Sequence, residues 1–367
     1  LQIQSNFRLL VVRLGAMGDI LHALPAVTAL RQAHPAWIID WVVDPRWRAL
    51  LAAEGSAARG PAQPVADHLH FAPTKAWRKA PFSTQTLHGI MALRSALRAG
   101  QYNAVIDLQG AIRSAVVARF AGCRRLIGEA EPRERAARWL FTERIATHGM
   151  HVIEQDVELA SAIAGDPLTA VAPRLPVEPD AEAWADKILP AAGVHPVSTR
   201  TAPWGGGQPA VLISPGGGWG AKRWPAERYA IVAQGLIERG CRVLVNCGPG
   251  EEPLAEVIVR GTCGVATPLS CSLAQLIALT RRVDLAIAGD TGPLHLACAL
   301  GRPVVGIYGP TDPSRNGPFG TRFQVLRSPL SRRDHSRRAE PEAGLLTIQP
   351  DSVLRSAVAL LYPETTR

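Results

Sequence analysis

Short apolar runs alternate with segments whose apolar residues recur at helical spacing, and this alternation dominates the first half of the chain. Leu9–Val12 reads as a buried strand, and Gly18–Leu30 follows with helix periodicity. Trp37–Val43 is strand-like again, and Pro45–Ala53 looks helical. Asn103–Asp107 predicts another strand, with a helix over Ala111–Phe120. Strands separated by helical segments predict a parallel sheet with crossover helices.

The rhythm then breaks. Pro167, Pro173, Pro176 and Pro179 surround a short helical piece, Ala181–Ile188, and Thr199–Gly207 ends in three glycines. This composition predicts a linker. Beyond it the pattern restarts: Ala210–Ser214, Arg242–Asn246, Val283–Ala288 and Pro303–Tyr308 each read as a strand running into a Gly-containing loop. Doubly wound sheets bind ligands beyond the carboxyl ends of their strands, so the second half is expected to bind a nucleotide. Pro350–Leu361 predicts an amphipathic helix. The expected division is a first domain over 1–175, a linker over 176–207, a second domain over 208–345 and a terminal helix within 346–367 that packs back on the first domain.

At 367 residues the chain exceeds one ordinary core, and 47% hydrophobic residues are enough to bury two. No run approaches the roughly 18 consecutive apolar residues of a membrane span. A strand follows the N-terminus almost at once, which leaves no room for a signal peptide and predicts a cytoplasmic protein. The six cysteines form no Cys-x-x-Cys pair, which argues against zinc and disulfides. A net charge of +9 favours anionic partners. The basic residues form no long run and no nucleic-acid-binding signature accompanies them, so nucleic acid is not expected.

Four segments could carry chemistry. In Gly15–His22 two glycines let backbone amides approach a ligand, and Asp19 stands at the loop–helix boundary. Its carboxylate can act as a general base or merely favour the helix N-terminus. Pro215–Pro225 joins Gly216, Gly217 and Gly218 to Lys222 ahead of a helix; this suits a diphosphate, or makes an exposed basic turn. In Ala288–His295 a strand end delivers Asp290 and Thr291, able to hold a sugar hydroxyl and phosphate or simply to cap a helix. Lys75, Arg78, Lys79, Arg113, Arg119, Arg124 and Arg125 could meet an anionic acceptor or form a solvated face.

Taken together the segments resemble glycosyltransferase family 9, the lipopolysaccharide heptosyltransferases. The matching stretches are 17–26 (MGDILHALPA), 77–83 (WRKAPFS), 104–110 (AVIDLQG), 222–225 (KRWP), 290–296 (DTGPLHL) and 308–313 (YGPTDP), in the family's order over nearly the whole chain. The resemblance implies a GT-B fold, two Rossmann-like doubly wound domains facing a cleft, with the acceptor on the first and the ADP-sugar on the second. It implies Asp19 as catalytic base. It implies Gly216, Gly217, Lys222, Glu252, Asp290, Thr291, Gly292 and His295 as donor-binding residues. Gly18, His22, Arg78, Lys79 and Arg113 would face the acceptor. Glycines at 216–218 replace hydroxyl residues common in the family, as the Gly15–Ala16 pair does in some members, so phosphate binding there would rest on backbone amides. The expected reaction is an inverting transfer from ADP-heptose to Kdo–lipid A at the anionic inner-membrane surface, with no cofactor and no metal, since no Asp-x-Asp triplet is present. Segment 77–83 favours the type I branch over types II and III, which differ in acceptor. A non-catalytic nucleotide-sugar-binding protein and a dinucleotide oxidoreductase are the rivals from other classes; the absent Gly-x-Gly-x-x-Gly counts against the latter.

Overall fold

A computed structural model describes residues 7–191, 208–334 and 338–363. The chain divides into two compact units, Leu1–Val177 and Glu178–Arg367. The expected linker segment Thr199–Gly207 lies outside the described residues.

The first unit contains β1 (Arg8–Val12), α1 (Met17–Ala33), β2 (Ile38–Val43), β3 (His68–Phe71), α2 (Thr74–Lys79), α3 (Thr84–Ala99), β4 (Ala104–Asp107), α4 (Ile112–Phe120), β5 (Leu126–Glu129), β6 (Glu143–Ile145) and α5 (Val152–Ala164). Its six strands are parallel in the order β3-β2-β1-β4-β5-β6. Leu9, Leu10, Val11 and Val12 are fully buried, as a central parallel strand covered on both faces requires. Helix α1 is buried almost all round, and it packs closely on α5 and on the turn that follows β2. The helix expected at Pro45–Ala53 is a 3₁₀ turn over Pro45–Leu50, started by Asp44, whose side chain accepts the Arg46 amide.

The second unit contains α6 (Pro179–Ala191), β7 (Ala210–Ser214), α7 (Ala226–Ile237), β8 (Arg242–Asn246), α8 (Glu252–Gly261), β9 (Thr267–Leu269), α9 (Leu273–Thr280), β10 (Leu285–Gly289), α10 (Gly292–Ala299), β11 (Val304–Tyr308), α11 (Pro313–Asn316), β12 (Phe323–Arg327) and α12 (Pro350–Leu361). The order β12-β11-β10-β7-β8-β9 repeats that of the first sheet. In each sheet the order reverses between the unit's first and fourth strands, where doubly wound sheets open a crevice at the carboxyl ends. The helical piece expected within the linker is α6, which packs Ala181 and Ala185 on Ala278 and pairs Glu182 with Arg281 and Arg282.

The expectation that the terminal helix packs on the first domain is corrected. Val353, Ala357, Leu360 and Leu361 of α12 are buried in the second unit's core with Tyr229, Val232 and Leu236 of α7. The chain reaches that position along a fixed path, since Ile348 O accepts from Trp224 Nε1 at 3.2 Å and from Arg228 at 2.7 Å.

Candidate functional site

In the second unit three loops meet the carboxyl ends of β7, β8 and β10. Asp290 follows β10 directly and is 8% exposed. One of its oxygens pairs with Lys222 Nζ, and the other lies 3.1 Å from His295 Nε2 on α10. Burial alone would raise the Asp290 pKa. The His295 hydrogen bond and the Lys222 charge outweigh burial and hold the carboxyl well below the ordinary carboxylate range. Lys222 also stands over the Trp219 ring, 4.3 Å from its centroid. A lysine so held offers a fixed positive charge, and α10, opening at Gly292 after Thr291, adds unpaired amides and the positive end of its dipole.

The Gly216 loop is crowded by a neighbour. A Cβ on Gly216 would come within 2.2 Å of the Glu251 carboxylate, so any larger residue there would push the Glu251 side chain aside. Glu251 in turn accepts the Gly248 amide at 3.0 Å. Glu252, proposed from the resemblance, is exposed at the start of α8, while Glu251, passed over in the sequence, faces the glycine loop. Gly217 is buried, and its carbonyl accepts from the Arg223 guanidinium at 3.2 Å. Thr311, beyond β11, is 3% exposed, and its hydroxyl has no hydrogen-bond partner. It belongs to the quoted stretch 308–313 but was not singled out there.

In the first unit the corresponding ends of β1 and β4 gather Arg13, Asp19, Asp107 and Gln109. Gln109 Oε1 accepts the Leu14 amide at 2.9 Å and so ties the β4 loop to the β1 loop. Asp19 Oδ2 accepts the Ala16 amide at 2.9 Å, and Oδ1 lies 3.6 Å from the Arg13 guanidinium. Its side chain is 38% exposed, which leaves it open to a ligand. Gly15 has φ +147°, and a Cβ there would meet Trp47 at 2.7 Å, so the loop's path needs glycine. Asp107 is 1% exposed and accepts from the Gln109 and Gly110 amides and the Ser114 hydroxyl. Burial raises its pKa to about 6 despite those bonds and the nearby charge of Arg13. Its second oxygen and Arg13 Nε are buried without hydrogen-bond partners.

Gly18 is half-buried in the first turn of α1, and His22 is buried with its ring edge-on to His151 at 5.5 Å. Arg78 and Lys79 are exposed at the end of α2, after β3, and Arg113 is exposed at the start of α4, after β4. Parallel strands put these positions at the carboxyl edge that also carries Asp19. Arg13 is the residue the sequence reading missed here. The available signal was a charged side chain directly after a four-residue apolar run.

Comparison with known proteins follows this geometry closely. A model of glycosyltransferase family 9 (heptosyltransferase) matches residues 90–345. Lipopolysaccharide heptosyltransferase 1 of Escherichia coli (strain K12) is 31% identical over 327 residues, spanning 88% of this chain and 94% of that protein. Among solved structures, the E. coli heptosyltransferase WaaC with ADP matches with TM-score 0.74 at 27% identity, covering 95% of this chain and 98% of that one. The same protein with ADP-2-deoxy-2-fluoro heptose matches with TM-score 0.72 at 26% identity, covering 95% and 98%.

Proposed function

The chain belongs to glycosyltransferase family 9, the heptosyltransferases, and from that premise we propose that it transfers heptose from ADP-heptose to the Kdo of a lipid A-linked inner core. The fold is GT-B, two Rossmann-like doubly wound domains. The observation that carries the donor assignment is the buried Lys222–Asp290–His295 cluster at the start of α10, where the second sheet reverses its order. Phosphate oxygens suit Lys222 and the amides of Thr291 and Gly292, and sugar hydroxyls suit Asp290. Glu251 and Glu252 are the acids available to a ribose. This cluster lacks the features of a dinucleotide-redox site and supports group transfer from a nucleotide sugar.

Asp19 acts as general base in this reading. Its carboxylate takes the proton of a Kdo hydroxyl while that oxygen forms its bond to the anomeric carbon of heptose. The bond from that carbon to the ADP oxygen breaks, and ADP leaves with the bonding pair, which inverts the configuration. Lys222 and the α10 amides meet the charge that develops on the leaving diphosphate. Arg78, Lys79 and Arg113 provide the positive charge an acidic acceptor calls for, and the membrane association is peripheral, at the cytoplasmic face of the inner membrane. Among the described residues no helix is long and apolar enough to cross a membrane.

The test is incubation with ADP-heptose and Kdo–lipid A, read by mass spectrometry. A single added heptose supports the reading. Transfer only to a core that already carries one heptose would move the protein to the type II acceptor class. Binding of ADP-heptose without transfer to either acceptor would overturn the enzymatic assignment.

A further inference from the structure

We infer that Glu342 is a positioning residue for the donor site: it pins segment 338–345 along the turn that carries Lys222, and so fixes where that lysine meets the diphosphate. The chain leaves β12 at Arg327 and enters α12 at Pro350. On the way, segment 338–345 runs beside the Gly220–Lys222 turn and bonds to it in both directions. The Ala221 amide donates to the Arg338 carbonyl at 3.2 Å, and the Glu342 amide donates to the Ala221 carbonyl at 3.2 Å. The approach is so close that a Cβ on Gly220 would run into the Ala339 carbonyl, which is backbone and cannot give way by rotating. The turn also leans on the end of β10, where a Cβ on Gly289 would meet the Lys222 carbonyl at 3.2 Å. The Lys222 backbone is therefore held by two neighbours, segment 338–345 and the residue that precedes Asp290.

The turn needs such support. It is a single short 3₁₀ turn, its start at Trp219 carries no side-chain cap, and three glycines, 216–218, lead into it. A lysine ammonium rides on a flexible four-carbon stem, so its place depends on where its backbone is held. Glu342 supplies the anchor. Its Oε2 accepts the Ser331 hydroxyl and the Leu345 amide, each at 2.9 Å, and its Oε1 accepts the Arg332 amide at 3.4 Å. Burial alone would raise its pKa. Bonds from the Gly344 amide and from these three donors outweigh burial and hold the carboxyl below the ordinary range, so it is ionised at neutral pH. Leu345 is fully buried in the second unit's core. The carboxylate thus ties segment 338–345 both to that core and to the chain that follows β12. Its oxygens are occupied by these bonds, and it acts on the donor through Ala221 and Lys222.

This inference rests on the reading of Lys222 as a diphosphate ligand, and a double-mutant cycle separates the two. ADP affinity is measured by calorimetry, with Tm alongside, for the parent, Glu342→Ala, Lys222→Ala and the double variant. Folded Glu342→Ala should bind ADP roughly three- to tenfold more weakly than the parent, as residues coupled in one network do. On the Lys222→Ala background the same substitution should change affinity by less than about twofold, because no lysine is left to misplace. A merely structural Glu342 would lower Tm and leave the ADP affinity of the folded protein at the parental value, and that result would overturn the inference. An equal loss on both backgrounds would also overturn it, since Glu342 would then act by a route that bypasses Lys222. Unchanged affinity in Lys222→Ala alone is the separate failure, that of the donor reading itself. If Glu342→Ala does not fold, Glu342→Gln takes its place in the cycle, and the same outcomes decide.

Discussion

At Asp19 one carboxylate oxygen accepts the Ala16 amide and the other faces Arg13, so local structure and proposed chemistry share one group. Asp19→Asn keeps an acceptor for the amide but cannot take a proton. Turnover should fall by about 10²–10⁴ while ADP-heptose affinity and Tm stay near parental values. A purely capping role makes the opposite forecast, because asparagine also serves at helix starts; near-normal turnover in the folded variant would remove Asp19 from the mechanism. Lys222→Ala removes a cation from a buried carboxylate as well as from the diphosphate site. ADP affinity measured by calorimetry should drop roughly ten- to a hundredfold, as loss of a charge-assisted contact of about 1.5–3 kcal/mol implies, and unchanged affinity would displace Lys222 from the donor site. Asp107 makes a prediction about pH. Its folded pKa of about 6 lies above the unfolded value near 4. The native state therefore binds the extra proton, and this stability is fully present below about pH 4 and lost as pH rises through 6. The effect is on the order of 3 kcal/mol, at about 1.4 kcal/mol per tenfold. Asp107→Asn stays neutral throughout, so denaturant titrations should show the variant gaining on the parent between pH 4 and 7, and parallel curves would show that burial does not hold the proton there.

Among the elements, α12 decides whether the second core is closed. Leu361 is 1% exposed within that core, and Leu361→Ala should cost about 2–5 kcal/mol. The loss should localise: amide exchange in β10–β12 should quicken while β1–β6 keep parental protection, and uniform quickening would show that the two units share one cooperative transition. This helix also marks a limit of sequence reading. Pro350–Leu361 was legible as amphipathic because its apolar spacing is periodic, but a stripe specifies no partner, and the partner was assigned to the wrong unit. The central strands β1, β4, β7, β8, β10 and β11 were visible because strands covered on both faces are continuous apolar runs. The strands β3, β5, β6, β9 and β12 were not singled out. They are three to five residues long, and most lie toward the sheet edges with partly exposed side chains such as those of His68 and Phe323, so they give little apolar signal. Of the candidate site, the residues that the sequence singled out most readily, Asp19, Lys222 and Asp290, are those where an ionisable group stands close to glycine. Arg13 and Glu251 were missed because their significance lies in contacts across loops, with Asp19 and with Gly216.

For the whole molecule, the reading assigns charge stabilisation of ADP to Lys222 and helix amides. Turnover should therefore persist in EDTA, and loss of activity in the chelator that magnesium or manganese restores would show a different stabilisation of the leaving group. The contiguity of the two units has a consequence during synthesis. The first sheet cannot close until β4 pairs with β1, some 90 residues after β1 is made, and β5 and β6 follow by Ile145. Such non-local parallel pairing is slow. Yet the first unit is encoded before residue 178, and a ribosome adding roughly 5–20 residues per second takes on the order of ten seconds or more to make the rest. The first unit thus has time to fold on the ribosome without competition from the second, similarly wired sheet, whose strands could otherwise offer it mismatched edges. The second unit must wait longer for its core, one side of which stays uncovered until α12 has left the exit tunnel.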